Sequence, residues 1–145
     1  MKQLLLILAL IAGIFTLSAR GNYSREIGTL PPAAQTLIKT HFKADVNHIK
    51  IDKDLGVITK YDVVLNDGSE ITFDKGGNWK EIEVRKGSSV PDAFVPADMK
   101  SYIKQNQKGS AIIGIEKKRN GYEVELANGV EMKFDSKGQF VRYED

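Results

Sequence analysis

The sequence predicts an α+β fold: a tandem α-β-β-β-β repeat forming one antiparallel sheet of about eight strands, with two helices packed on one face. Three observations carry this expectation. Tyr61–Glu83 (YDVVLNDGSEITFDKGGNWKEIE) returns 61 residues later as Tyr122–Glu144 (YEVELANGVEMKFDSKGQFVRYE), with nine of 23 positions identical. Each copy follows an apolar stripe at helical spacing that starts on proline. Between the copies lies KGSSVPDAFV (86–95), rich in turn residues.

The first helix is expected over Pro31–Lys43. Thr29 is placed to cap it, and Pro31 and Pro32 suit its first turn, where proline gives up no hydrogen bond. Ala34, Leu37, Ile38 and Phe42 form its stripe. Val46–Asp54 alternates Ile49 and Ile51 with charged neighbours and reads as a strand. Leu55-Gly56 marks a turn, and Val57 opens the next strand. The repeated motif then supplies three strands and two tight turns. The second helix starts at Pro96, with Met99, Tyr102 and Ile103 as its stripe. Leu30-Pro31 corresponds to Val95-Pro96 at an offset of 65 rather than 61, so four residues are missing before the second motif. Ala111–Arg119 replaces Val46–Thr59 in shortened form. The expected organisation is a signal peptide over 1–19, a flexible lead-in over 20–29, a first repeat over 30–85, a linker over 86–94 and a second repeat over 95–145.

Burial selects the register of the motif. A two-residue turn at Asp67-Gly68 would set Val64 against Ile71 and Asp62 against Phe73, mixing acids with apolar groups on each face. A three-residue loop, Asn66-Asp67-Gly68 with Gly68 left-handed, sets Tyr61 opposite Phe73, Val63 opposite Ile71 and Leu65 opposite Ser69. Copy two then sets Tyr122 opposite Phe134, Val124 opposite Met132 and Leu126 opposite Val130. One face becomes almost wholly apolar in both copies. The second turns, Asp74–Gly77 and Asp135–Gly138, fit type I geometry and bring Phe73 to Trp79 and Phe134 to Phe140. The pattern beyond Trp79 shifts phase, so a bend or bulge is expected there, at a position the pattern leaves open.

The bulk composition narrows the function classes. The chain has 145 residues, 41% hydrophobic and 28% charged, with a formal net charge of +2, so charge suggests no nucleic-acid partner. It has no cysteine, which removes disulfides, thiolate catalysis, Cys-based zinc sites and lipid attachment through an N-terminal Cys. Lys2 precedes a nearly unbroken apolar run from Leu4 to Leu17, and small residues follow at Thr16–Ala19. This is a signal-peptide pattern, with the mature chain expected to start near Ala19 or Arg20 and to reside in the periplasm or outside the cell. An uncleaved anchor is the alternative, although the run is short of the ~20 apolar residues of a spanning helix.

The pattern resembles the PepSY-like proteins of Bacteroidetes and relatives. The matching features are the leader, Leu30-Pro31-Pro32-Ala33 at the helix start, Tyr-x-Val-x-Leu at Tyr61–Leu65, the run Asp67–Asp74, and Gly77–Trp79. The resemblance covers roughly Leu30 to the C-terminus as two repeats. It implies a fold similar to the β-lactamase inhibitor protein, with an eight-stranded antiparallel sheet and helices on one side. It also implies export, and it does not imply an enzyme. The wider PepSY group includes protease-inhibiting propeptide modules, which makes an inhibitor-like role one implication of the resemblance.

No catalytic set can be assembled from the residues. His41 and His48 lie across a helix end rather than on one helix face, and no HExxH pattern exists. Asp52-Lys53-Asp54-Leu55-Gly56 resembles the start of a calcium loop, but position twelve is Val63 rather than Glu, so a hairpin turn is the better reading. Ser88, Ser89 and Ser101 have no nucleophile motif around them. No cofactor is implied. The residues that folding leaves unexplained are on the polar sheet face: Asp62, Val64, Glu70 and Thr72 in copy one, and Glu123, Glu125, Glu131 and Lys133 in copy two. These are the candidate contacts for an envelope or extracellular protein, with Glu125 facing Glu131 as an acidic patch suited to a basic partner. Tyr143 and Phe94 are the aromatics without a core assignment. The expected partners exclude nucleic acid and, after signal cleavage, the membrane, and the expected state is a monomer or weak dimer. The alternative function is a small-ligand or ion carrier with a pocket between sheet and helices.

Overall fold

The structure is a computed structural model and describes residues 22–145. The expected signal peptide lies outside the described residues. The chain divides into two compact units, 22–85 and 86–145. The class is α+β, with every strand pairing antiparallel.

The first unit contains β1 (Tyr23–Ser24), a 3-10 turn (Ile27–Thr29), α1 (Pro32–His41), β2 (Val46–Asp54), β3 (Val57–Leu65), β4 (Glu70–Asp74) and β5 (Trp79–Glu83). The second contains a 3-10 turn (Asp92–Phe94), α2 (Ala97–Asn106), β6 (Ile112–Lys118), β7 (Gly121–Leu126), β8 (Glu131–Asp135) and β9 (Phe140–Glu144). Strands follow chain order in each unit, β1 to β5 and β6 to β9. The repeat therefore extends to a 3-10 turn ahead of each helix. The helix ends match too: Phe42 N donates to Ile38 O at 3.0 Å, and Gln107 N to Ile103 O at 2.7 Å.

The three-residue turn register is the observed one. Tyr61 faces Phe73 and Val63 faces Ile71, while Tyr122 faces Phe134 and Val124 faces Met132. Leu65 N donates to Ser69 O and Leu126 N to Val130 O, both at 2.9 Å. Gly68 and Gly129 take φ of +88° and +87°, as a left-handed turn residue must. Phe73, Ile71, Met132 and Phe134 are at most 1% exposed, so the apolar face is a true core face in each unit. The expected irregularity after the second turn is a β-bulge. Thr72 faces Glu81 while Phe73 faces Trp79, which leaves Lys80 as the extra residue. Lys133 faces Arg142 while Phe134 faces Phe140, which leaves Val141 in the same place.

Each helix sits by its N-terminus on the second turn of its own unit. A Cβ at Gly77 would stand 2.8 Å from Pro31 Cβ and 3.2 Å from Ala34 N. One at Gly138 would stand 3.0 Å from Pro96 Cβ. In the second unit Tyr102 stacks on Phe140 at 4.4 Å and meets Phe134 edge-on at 6.0 Å, fixing α2 over the β8–β9 aromatics.

Several expectations are corrected. Thr29 does not cap α1; Pro31 is the N-cap, without a side-chain bond, and Thr29 Oγ1 instead bonds Ser24 Oγ at 2.7 Å. Residues 22–29, read as part of a flexible lead-in, carry β1, which pairs Tyr23 with Lys50 and Ser24 with Ile49. The segment read as a linker contributes Val90, Phe94 and Val95 to the core, so Phe94 is not an exposed aromatic. The missing four residues resolve into two changes. Val46 faces Leu65 and Ile112 faces Leu126, so the second hairpin is five residues shorter. One additional residue precedes β6 in compensation.

Candidate interaction surface

Alternation along β3, β4 and β5 turns Asp62, Val64, Glu70 and Thr72 to the face opposite Tyr61 and Phe73. All four are half-buried. Thr72 Oγ1 donates to Asp62 Oδ1 at 3.0 Å across the β3–β4 pair. Lys60 Nζ lies 3.1 Å from Asp62 and 3.3 Å from Asp52, and Lys50 Nζ 3.1 Å from Asp52, so a ladder of four charges runs along the β2–β3 hairpin. Burial works against the Asp52 charge, but Lys50 and Lys60 outweigh it and hold the carboxyl below its usual range. Glu70 goes the other way: burial and then the nearby Asp62 charge raise its pKa.

In the second unit Glu123 faces Lys133 and Glu125 faces Glu131. The acidic pair is more enclosed than a solvated sheet face would leave it, at 6% and 8% exposure. Burial first, then the Glu131 charge, raise the Glu125 pKa, against an opposing pull from Lys86. Lys118 Nζ lies 2.9 Å from Glu116 and 3.7 Å from Glu123. Of the eight residues named from the sequence, four lie in each unit.

Sequence reasoning missed several acids on these faces. Glu81 faces Thr72 and Glu83 faces Glu70, while Glu116 faces Glu123 and Glu144 faces Glu131; Asp52 joins the ladder beside Asp62. The bulges at Lys80 and Val141 bring Glu83 and Glu144 there, at a position the hydropathy pattern leaves open. Glu83 is 6% exposed, and Arg142 Nη2 lies 3.0 Å from Glu144. His48 carries a lowered pKa, from burial and then from Arg25, and bonds Asn47 Oδ1 through Nδ1 at 2.8 Å. Asp52–Gly56 is a hairpin end, with Asp54 facing Val57. Among the described residues no three His, Asp or Glu side chains are grouped as a metal ion would require. Nor is any described helix long and apolar enough to cross a membrane.

A further concavity lies at the C-terminal end of α1. It is an open cleft of about 450 Å³, bounded by Ile27, Ile38, Phe42 and Val46, with Arg25, Lys39 and Lys43 and the acids Glu26 and Asp45 at its margin.

Residues 59–142 match the family model described as "Putative beta-lactamase-inhibitor-like, PepSY-like". Three solved structures are similar. A "putative periplasmic protein of unknown function" from Bacteroides vulgatus is 42% identical, over 85% of this chain and 98% of that one, with a TM-score of 0.79. A "putative calcium-regulated periplasmic protein" from Bacteroides thetaiotaomicron is 34% identical, over 83% and 94%, with a TM-score of 0.75. A "putative periplasmic protein from DUF2874 family", also from Bacteroides vulgatus, is 37% identical, over 83% and 94%, with a TM-score of 0.74. No curated protein matches the chain.

Proposed function

Because the chain belongs to the PepSY-like family, we propose that it is an exported, non-enzymatic binding module that engages a protein partner through its polar sheet faces or rim loops. Export is supported by the sequence of the first 19 residues and by the periplasmic description of the similar structures.

One observation carries the binding reading. Glu125 stands opposite Glu131, and Glu131 opposite Glu144, in successive cross-strand pairs. Like charges directly opposite are unfavourable in a sheet, and enclosure makes them more so. Threonine or glutamine at these positions would fold better. A row of acids that folding disfavours is explained by a partner with basic groups, as in an inhibitor or adaptor contact. The test is affinity capture from the envelope of the native host with wild-type chain and with Glu125→Lys. A partner enriched by the wild type and lost with Glu125→Lys supports the reading. No enrichment, or equal enrichment by both, overturns it.

A second reading, a carrier for a small amphipathic ligand, draws on the cleft at the end of α1. A panel of fatty acids and aromatic acids would raise the melting temperature if that cleft takes ligand. The shift would vanish in Ile38→Asp if that protein folds, and in Lys39→Glu/Lys43→Glu otherwise.

A further inference from the structure

Leu55, at the tip of the β2–β3 hairpin, is 98% exposed. Its φ is +48°, and among the described residues it alone has a positive φ without being glycine. Both properties oppose folding. Leucine gains nothing by standing in water, and its branched side chain is poorly tolerated in the left-handed region. The turn has two central residues between Asp54 and Val57, both left-handed, a geometry that selects asparagine, aspartate or glycine at the first of them. Val57, next to the turn, is 63% exposed.

The second copy is an internal control. Its corresponding hairpin is five residues shorter, closes through Arg119-Asn120 between Lys118 and Gly121, and holds neither tip residue at a positive φ. The repeat therefore needs neither the length nor the leucine. The added length projects. On β3 the pairing with β4 starts at Lys60, and on β2 the pairing with β1 stops at Lys50, so Lys53–Ile58 and Asp54–Val57 pair only with each other. Below the tip, the Lys50–Asp52–Lys60–Asp62 ladder and the Thr59 Oγ1 bond to Asp52 O at 3.2 Å brace the stem.

We infer that the β2–β3 hairpin is a braced probe whose Leu55 side chain seats in a leucine-sized apolar pocket of the protein partner. Val57 then lies against the pocket rim. This rests on the protein-binding reading above and names the surface and the chemistry it meets. A bilayer is the poorer occupant. The tip offers two aliphatic side chains, Asp54 directly precedes Leu55 and faces Val57 across the hairpin, and Asp52, Lys53, Asp54 and Lys60 balance to no net charge. An anionic lipid surface attracts excess cations, and the carboxylate would have to leave water.

The test places a photo-crosslinking benzoylphenylalanine at position 55, at position 120 or at position 133 of the full chain in its native host. Support is a discrete protein adduct from position 55 and none from 120. Purified wild-type chain should suppress that adduct, while Leu55→Asn competes more weakly by roughly ten- to hundredfold, the worth of one buried leucine. Leu55→Asn should also melt no lower than wild type, which separates lost binding from lost folding. An adduct from 133 but not from 55 overturns the probe and leaves the binding module standing. Adducts from none of the three overturn both. A lipid adduct at 55, or Leu55-dependent sedimentation with phosphatidylethanolamine–phosphatidylglycerol vesicles, overturns the protein pocket in favour of a membrane.

Discussion

A methyl group at Gly121 would stand 2.0 Å from the Phe134 carbonyl oxygen and 2.8 Å from Asp135 Cα, at a φ of +147°. All of these neighbours are backbone of the paired strand β8, so the chain cannot yield without breaking the β7–β8 ladder. Gly121→Ala should lose about 3 kcal/mol or more. Gly76→Ala is its control: the added Cβ meets only side-chain atoms at 3.4 Å. It should stay within about 0.5 kcal/mol of wild type. Urea unfolding of both variants decides this, and equal midpoints would refute the clash. At Glu125 the expectation concerns charge. Its carboxyl is held above the usual range by burial and by Glu131, so the folded state binds a proton more readily than the unfolded chain. The associated stability is present in acid and is lost as pH rises through the folded value. Glu125→Gln should therefore be more stable than wild type at pH 7, and the gap should close near pH 4. A gap constant across that range would count against the assignment.

At the scale of elements, Phe134 joins Tyr102 and Phe140 in one aromatic group that ties α2 to β8 and β9. Phe134→Ala should cost about 3–5 kcal/mol, the range for emptying a packed aromatic site, as read by denaturant titration. A cost under about 1 kcal/mol would mean that α2 is held elsewhere. The strands and their register were legible because a slip of one residue would have buried Asp62 or Glu123 among aromatics, an outcome that burial forbids. The bulges were half legible. The phase change after Trp79 announced one, but Lys80 and Glu81, the residues that follow it, are both polar, and hydropathy cannot choose between them. Strand β1 was not legible, since two residues carry no period. Phe94 sat in a segment rich in Gly, Ser and Pro, and that composition hid a contribution to the core. The polar face was legible on β3, β4, β7 and β8, where the register is regular, but Glu83 and Glu144 lie past the bulges and were not. The enclosure of Glu125 and Glu131 depends on neighbours that no local pattern encodes.

At the scale of the molecule, acidic groups of opposite tendency set the response to pH. Glu70 and Glu125 have raised pKa values and disfavour neutral pH. Asp52 is held down by Lys50 and Lys60 against the effect of burial, and Asp74 likewise by N–H groups of Asn78 and Gly76. Their contribution is present above the unfolded value, about 3.9 for aspartate, and is lost as pH falls below it. His48, with its lowered pKa, adds stability that is present above its unfolded value and lost as pH falls below it, opposing Glu70 and Glu125. Stability should therefore fall steeply below about pH 4, where the aspartates are neutralised. Melting temperatures across pH 3–8 check this, and a maximum at or below pH 4 would refute it. Each unit pairs strands that are neighbours in the chain, which keeps contacts local. Refolding from urea should accordingly be fast for a sheet protein, on the order of milliseconds to tens of milliseconds. The bulges at Lys80 and Val141 also have a historical meaning. Both copies interrupt the same strand at the same point, one with a lysine and the other with a valine. The side chain drifted while the backbone irregularity stayed. The kink is therefore older than the duplication and belonged to the single ancestral repeat, whereas the unequal β2–β3 and β6–β7 hairpins arose after the copies parted.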